Sequence, residues 1–347
     1  MTRKRILTIV GAAILLAAGM AFAFAYSTWS EVNRVTIERP PPGVGPLAQE
    51  GEEEERDQVP ALPTSTEGVE IVLLVGSDSR DELDELDGFG DFSGRRADVV
   101  MVLIRTRSAT AVLSLPRDLV VDDLCSGRSS RLNALLEGCA DQLNGPSLLL
   151  NGVERLIGEK VDHYAMVDLA GFQEVVDAIG GYEICLERPV RDQRAGLELS
   201  EGCTTATGAQ TLAWLRSRRT QELTGEGWRV MPGMNDLARN ERQRRFIIDV
   251  MSGLSGFTSP QALTTTARAL APHITVDDQL DLSEAVTLAW ALRALDRGDF
   301  TELEVPVVDH VSENGAAVLV PTIPVNEIVA AFLETHATAG RHDAFAG

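Results

Sequence analysis

Four short charged segments hold the residues whose types and spacing suit chemistry. Gly76-Ser77-Asp78-Ser79-Arg80 follows one apolar run, Arg95-Arg96-Ala97-Asp98 precedes a second, and Pro116-Arg117-Asp118 ends a third. Arg216-Ser217-Arg218-Arg219 closes a helical stretch that leads toward Asp236-Leu237-Ala238-Arg239-Asn240-Glu241-Arg242-Gln243-Arg244. Guanidinium groups donate in a planar fork that matches phosphate oxygens, and aspartate carboxylates hold Mg²⁺ through oxygen. A pyrophosphate needs both: several donors of fixed geometry and a hard cation to offset its charge. Arg239 and Gln243 are four apart and share a helical face, so both can reach one ligand. Arg242 and Arg244 lie within a turn of Arg239 and cannot all face that ligand, so one or both are expected to be structural.

The elements that must position these segments follow from hydrophobic periodicity. Short apolar runs read as buried strands at Glu70–Val75, Asp98–Ile104, Ala109–Leu115, His163–Val167, Tyr182–Leu186, Leu303–Val307 and Ala317–Val320. Helical patterns fall at Pro146–Ile157, Leu169–Ile179, Gly208–Arg216, Leu237–Leu254, Pro260–Leu270 and Leu282–Leu295. Strands alternating with helices predict one layered α/β domain, 69–337, with a central β-sheet flanked by helices. The runs on either side of Arg105–Ser108 are too close for a helical crossover, so they are expected to be antiparallel neighbours and the sheet mixed. Loops beyond strand ends are where open α/β sheets bind ligands, which brings the first and third charged segments together. His163 opens a predicted strand beside apolar residues and reads as a structural histidine rather than a general base. Neither a G-x-S-x-G nucleophile elbow nor a phosphate loop with its lysine is present.

The ends of the chain set its compartment. Thr2-Arg3-Lys4-Arg5, a cytoplasmic N-terminus at 1–5, precedes an uncharged apolar run over 6–26. At about 1.5 Å per residue this run spans the roughly 30 Å core of a bilayer. Basic residues before it place the rest of the chain outside. The run exceeds the 7–15 residues or so of a signal-peptide core, which favours a retained anchor. Small residues in Ala21-Phe22-Ala23 and Ala23-Phe24-Ala25 would also suit a processing enzyme, and either route exports the domain. Residues 27–68, with Pro40-Pro41-Pro42 and Glu52–Glu55, read as an extended solvated linker, and 338–347 as a tail. Four cysteines without a CxxC spacing suit an oxidising compartment, and the local pairs Cys125–Cys139 and Cys185–Cys203 are the expected disulfides. A formal charge of −21 argues against a nucleic-acid partner, whose footprint would be basic. Lys4 and Lys160 are the only lysines among 31 basic residues, so individual arginines must be judged by position.

The order of these segments resembles the LytR-CpsA-Psr (LCP) family of cell-wall glycopolymer ligases. The likeness covers the whole extracytoplasmic domain and rests on G-x-D-x-R after the first strand, R-x-D before the second, S-x-P-R-D, and R-x-R followed by D-x-x-R-x-x-R-Q. Val161-Asp162-His163-Tyr164 and Val175-Val176-Asp177-Ala178-Ile179-Gly180-Gly181 add to it. The resemblance implies an LCP-like fold in which Asp78 and Asp98 hold Mg²⁺ at a polyprenyl-linked pyrophosphate. It implies phosphate contacts from Arg96, Arg117, Arg216, Arg218, Arg239 and Gln243, with Asp236 orienting an arginine. Arg80, Arg95 and Arg219, beside matched positions, read as solvated or structural, and Asp118 reads equally as a cap, an ion-pair partner or a direct participant. Two stretches depart from the family pattern: the acidic, glycine-containing 81–94, and the seventeen residues between Arg218 and Asp236, whose Gly225, Gly227 and Gly233 suggest a flap.

The activity so implied is a phosphotransferase that moves a glycopolymer phosphate from a polyprenyl-pyrophosphate carrier to peptidoglycan, with the membrane helix holding the site near its lipid. The Leu148-Leu149-Leu150 run offers either a groove for that lipid or core packing. The rivals are a hydrolase of the same lipid and a non-enzymatic wall-binding or regulatory module.

Overall fold

The computed structural model of the protein describes residues 26–39, 66–77, 96–139, 143–232, 236–253, 268, 271–293, 295–312 and 315–336. The apolar run 6–26, apart from Tyr26, Asp78, and all of the 260–270 helical pattern except residue 268 lie outside the described residues. Strands in chain order are β1 (Asn33–Val35), β2 (Glu70–Ser77), β3 (Ala97–Arg105), β4 (Thr110–Leu115), β5 (Val120–Asp122), β6 (Ser129–Arg131), β7 (His163–Asp168), β8 (Tyr182–Leu186) and β9 (Val190–Asp192). They continue with β10 (Leu197–Leu199), β11 (Gly202–Ala206), β12 (Gln221–Thr224), β13 (Gly227–Val230), β14 (Ile274–Asp277), β15 (Phe300–Glu304), β16 (Val307–Val311) and β17 (Ala317–Pro321). The helices are α1 (Gly145–Ile157), α2 (Leu169–Ala178), α3 (Gly208–Arg216), α4 (Asp236–Gly253), α5 (Leu282–Arg293) and α6 (Val325–His336).

A seven-stranded sheet in the order β1-β14-β7-β2-β3-β4-β15 forms the centre. It is mixed, as the sequence predicts: β2 and β7 are parallel, whereas β3 runs antiparallel to both β2 and β4. Period-two alternation sends Leu73, Val102 and Leu113 into one layer with Leu149 and Val153 of α1 and Val329 of α6. It sends Val72, Leu103 and Val112 to the other face, against Ile248 and Met251 of α4 and Leu292 of α5. Leu148, Leu149 and Leu150 are all buried in the first layer, so they are core and line no groove.

Two expectations are corrected. Residues 27–68 are not linker throughout, because β1 pairs in parallel with β14 and residues 36–39 run along α1. Glu38 donates its N–H to Ser147 Oγ at 2.9 Å, Asn151 Nδ2 donates to Glu38 O at 2.9 Å, and Arg39 Nη2 donates to the buried Glu154 at 3.0 Å. Polar groups buried on α1 need such partners, and a three-residue strand is too short to show a period. Nor is 219–230 a loose flap. Its chain forms the β12–β13 hairpin, which extends the β9–β10 pair into a four-stranded sheet. Both expected disulfides are present, Cys125–Cys139 with Cα atoms 5.9 Å apart and Cys185–Cys203 paired across β8 and β11.

Candidate active site

The parallel strands β2 and β7 end side by side, with Ser77 opposite Asp168. Beyond them the sheet opens into a cavity of about 230 Å³ roofed by α2, α3 and α4. Leu74, Met101, Ala165 and Val167 floor it, and Phe172, Val175, Leu212, Phe246 and Val250 cover it, so its body is apolar. Polar groups gather at the mouth: Ser77, Asp98, Asp168, Arg216 and Gln243.

Local structure explains how these side chains arrive. The β2–β3 register shifts between Gly76, opposite Val99, and Ser77, opposite Ala97, leaving Asp98 as the extra residue of a bulge. A bulge re-aims a side chain, here at the mouth of the cavity. Arg117, just past β4, donates through Nη1 to Asp98 Oδ1 at 2.5 Å, and its Nε lies 3.4 Å from Asp118. Asp118 is also 3.8 Å from Arg131, so it serves as an ion-pair partner that orients Arg117. Asp168 caps α2 by accepting the Gly171 N–H at 2.7 Å. Gly208 starts α3 hard against α2: a Cβ there would lie 2.2 Å from Gln173 O. That close approach sets the direction of the helix whose last residue is Arg216.

Among the sequence-predicted residues, the structure therefore brings Asp98, Arg117, Arg216 and Gln243 to one mouth. Arg218 faces a neighbouring hollow that Arg216 also lines. Arg239 is buried, 4% exposed, one turn before Gln243 on α4. Arg96 is not gathered in; its side chain is 49% exposed and pairs with Glu137 at 3.4 Å. Asp236 lies in the first turn of α4. Asp78, next in the chain after Ser77, lies outside the described residues. Arg242 and Arg244 are structural. Arg242 donates to Trp214 O at 2.8 Å and to Ser217 O, with its guanidinium 4.7 Å from the Trp214 ring centroid. Burial lowers its pKa to about 10, so it stays protonated at neutral pH. Arg244 ties α4 to Glu302 and Glu304, at 2.6 and 2.8 Å.

A Mg²⁺ ion would find oxygen donors at this mouth. Asp98, whose Oδ1 is engaged by Arg117, is the sequence-predicted cation ligand that the described residues place at this mouth; Asp78 lies outside them. Elsewhere among the described residues, Glu183, Cys185 and Cys203 cluster at ligand distance, but those cysteines form a disulfide. Sequence reasoning missed Asp168, although it too is a carboxylate at the end of a strand, like Asp78 after the first apolar run.

The LytR_cpsA_psr family model matches residues 47–331. The chain belongs to that family. Among its relatives, a probable cell wall biosynthesis protein LcpB of Corynebacterium glutamicum is 32% identical over 262 residues, 73% of this chain and 53% of the relative. The cell wall biosynthesis protein LcpA of the same organism is 28% identical over 78% of this chain and 56% of its own. The chain thus spans about half the length of these relatives. A polyisoprenyl-teichoic acid–peptidoglycan teichoic acid transferase TagU of Oceanobacillus iheyensis is 28% identical, covering 70% of this chain and 68% of TagU. Among solved structures, a LytR-Csp2A-Psr enzyme from Actinomyces oris superposes with a TM-score of 0.62 at 23% identity over 87% of this chain and 95% of that one. The mixed sheet between helical layers is the fold that these LytR_cpsA_psr structures share.

Proposed function

We propose that the protein transfers a glycopolymer phosphate from a polyprenyl-pyrophosphate carrier to a sugar hydroxyl of peptidoglycan, on the outer side of the membrane that residues 6–26 anchor it to. The observation that carries this reading is an apolar cavity whose mouth is lined by Asp98, Arg216 and Gln243, with Arg117 bonded to Asp98. Apolar walls suit a polyprenyl chain, and the charged rim suits the pyrophosphate attached to it. The teichoic acid transferases among the relatives support the same reaction class. The acceptor hydroxyl oxygen bonds to the glycan-side phosphorus, the bridging P–O bond breaks, and polyprenyl phosphate leaves. The hydroxyl proton passes to an aspartate at the mouth or to water. Arg117 and Arg216 stabilise the charge that builds on the leaving phosphate, with Arg239 and Gln243 behind them on α4. Mg²⁺ held by Asp78 and Asp98 would add positive charge at that leaving group.

The test uses full-length protein in detergent with a lipid-linked anionic glycopolymer and peptidoglycan, scoring glycan joined to the wall. Arg117→Ala and Asp98→Ala are each expected to lower attachment about 100-fold or more, the usual cost of removing a preorganised electrostatic group. Attachment at the parental rate by both variants would remove the phosphate site. Release of free glycan phosphate with acceptor present, and no linkage formed, would make the protein a hydrolase.

A further inference from the structure

The apolar cavity runs inward from its mouth between the sheet and its helical roof. Val175 and Val250 line it about two helical turns beyond Asp168, at the start of α2, and Gln243 on α4, so it reaches roughly 10 Å along both helices. Tyr182, the first residue of β8, stands at the inner end. It pairs with Ala206, just before the start of α3, and the other end of α3 carries Arg216 at the mouth.

Tyr182 closes that end through its ring and its hydroxyl. The ring meets Phe246 edge-on with centroids 5.1 Å apart, and Phe246 meets Phe172 at 5.0 Å. The hydroxyl donates to Asp249 Oδ2 at 2.8 Å, and Arg297 Nη2 reaches Oδ1 of the same carboxylate at 2.9 Å. Burial, then the hydrogen bond to Asp249, raises the Tyr182 pKa above its ordinary value, so the phenol keeps its proton and remains a donor. The chain that follows α2 is thus tied to α4 across the inner end of the roof. The Arg297 side chain is 55% exposed and that of Asp249 23%, so solvent rather than further core lies beyond the tie. Opening it breaks one hydrogen bond to a charged group and one exposed ion pair, and leaves the two layers that sandwich the sheet intact.

Size gives the tie a consequence. The cavity's volume of about 230 Å³ falls below the roughly 300–1,000 Å³ of sites that enclose a drug-sized ligand. A polyprenyl tail is longer than such a ligand, so the closed cavity holds only its first isoprenyl units. We propose that Tyr182, Asp249 and Arg297 form a latch that opens the inner end of the cavity to a long polyprenyl tail, with Tyr182 as a residue that determines chain-length specificity. The inference rests on the lipid-pyrophosphate reading of the cavity. A short chain binds with the latch closed, whereas a long one binds the open form, so its affinity is lowered by the fraction of molecules that are open.

Binding of farnesyl pyrophosphate and undecaprenyl pyrophosphate to full-length protein in detergent tests it. Tyr182→Phe keeps the ring against Phe246 and removes the donor. It is expected to bind the undecaprenyl lipid about tenfold more tightly than the parent, the scale of one hydrogen bond to a charged group, and to bind the farnesyl lipid as the parent does. Asp249→Ala should shift the ratio of the two affinities in the same direction. A parental ratio in both variants overturns the latch, and so does an equal loss for both chains, which marks a merely structural tie. Failure of the parent to bind either chain would instead remove the lipid reading of the cavity, and the latch with it.

Discussion

Arginines of similar sequence context do different work here, and their partners tell them apart. Arg216 ends α3 at the rim of two hollows, whereas Arg242 turns back onto α3 and donates to the carbonyls of Trp214 and Ser217. The end of a helix leaves carbonyls without intrahelical partners, and Arg242 supplies donors for them. Removing it strands those acceptors and loses the stacking on Trp214. Arg242→Gln is therefore expected to cost about 2 kcal/mol of stability in urea unfolding. Arg216→Gln should leave the urea midpoint within about 0.5 kcal/mol of the parent and lower attachment about 100-fold. A stable, inactive Arg242→Gln and an unstable Arg216→Gln would exchange the two roles. The sequence showed that Arg239, Arg242 and Arg244 could not all face one ligand, because helical geometry alone settles that. Which of them turned away depended on carbonyls 25 and 28 residues distant, which no local pattern reports. Asp98 was chosen as a type of ligand, but the bulge that aims it arises from pairing with Gly76 and Ser77 and so was invisible.

Elements were more legible than their neighbours. β3 and β4 could be paired from the shortness of Arg105–Ser108, whereas the β1–β14 and β4–β15 pairs join distant segments that periodicity cannot connect. The strap formed by residues 36–39 was lost inside a proline- and glutamate-rich stretch, although Glu154, buried on α1, needed a cation. Arg39 meets that need at 3.0 Å, and Glu154 also accepts the Val161 N–H at 3.0 Å. Leaving a buried charge uncompensated is expected to cost about 3–5 kcal/mol, so Arg39→Ala should lower the urea midpoint steeply. A loss under about 1 kcal/mol would show that the strap is dispensable. At the end of β14 the carboxylate of Asp277 accepts the Tyr164 N–H at 2.9 Å and lies 3.4 Å from His163 Nδ1. Asp277 raises the His163 pKa against the opposing effect of burial, so that contribution is full below the unfolded imidazole value of about 6.5 and is lost as pH rises through the folded pKa. Burial pushes the Asp277 carboxyl up, but His163 and the backbone N–H groups hold it below its unfolded value, so its contribution is lost only as pH falls through the folded pKa. The stability lost in His163→Gln should therefore be larger near about pH 5.5 than near about pH 8.5, and the opposite trend would reverse the sign.

For the molecule as a whole, sheet register sets which end would face the lipid if residues 6–26 anchor the chain as proposed. Asn33 opens β1 opposite Thr275, Thr275 lies opposite Met166, and Met166 lies opposite Val75. The chain arriving from the apolar run 6–26 thus joins the sheet level with the last turns of β2, at the end where Ser77, Asp98 and Arg216 surround the cavity mouth. β3 runs away from that end, so the Thr106–Ala109 turn marks the opposite pole. A tether attached at the far pole would have to cross the length of the sheet before the cavity could meet a membrane-embedded carrier. Attached here, it needs only the short segment from Tyr26 to Val32. The β12–β13 hairpin follows Arg216 at the cavity mouth through Ser217–Thr220, and it exposes Val230 at 60%. With full-length protein in vesicles carrying a headgroup quencher, a fluorophore on Val230→Cys is expected to be quenched several times more strongly than one on Arg107→Cys. Equal quenching would mean that the domain tumbles freely on its tether, and stronger quenching at Arg107 would invert the orientation. Val230 lies far from the tether in sequence, so its quenching reports how the domain is held rather than where it is tied.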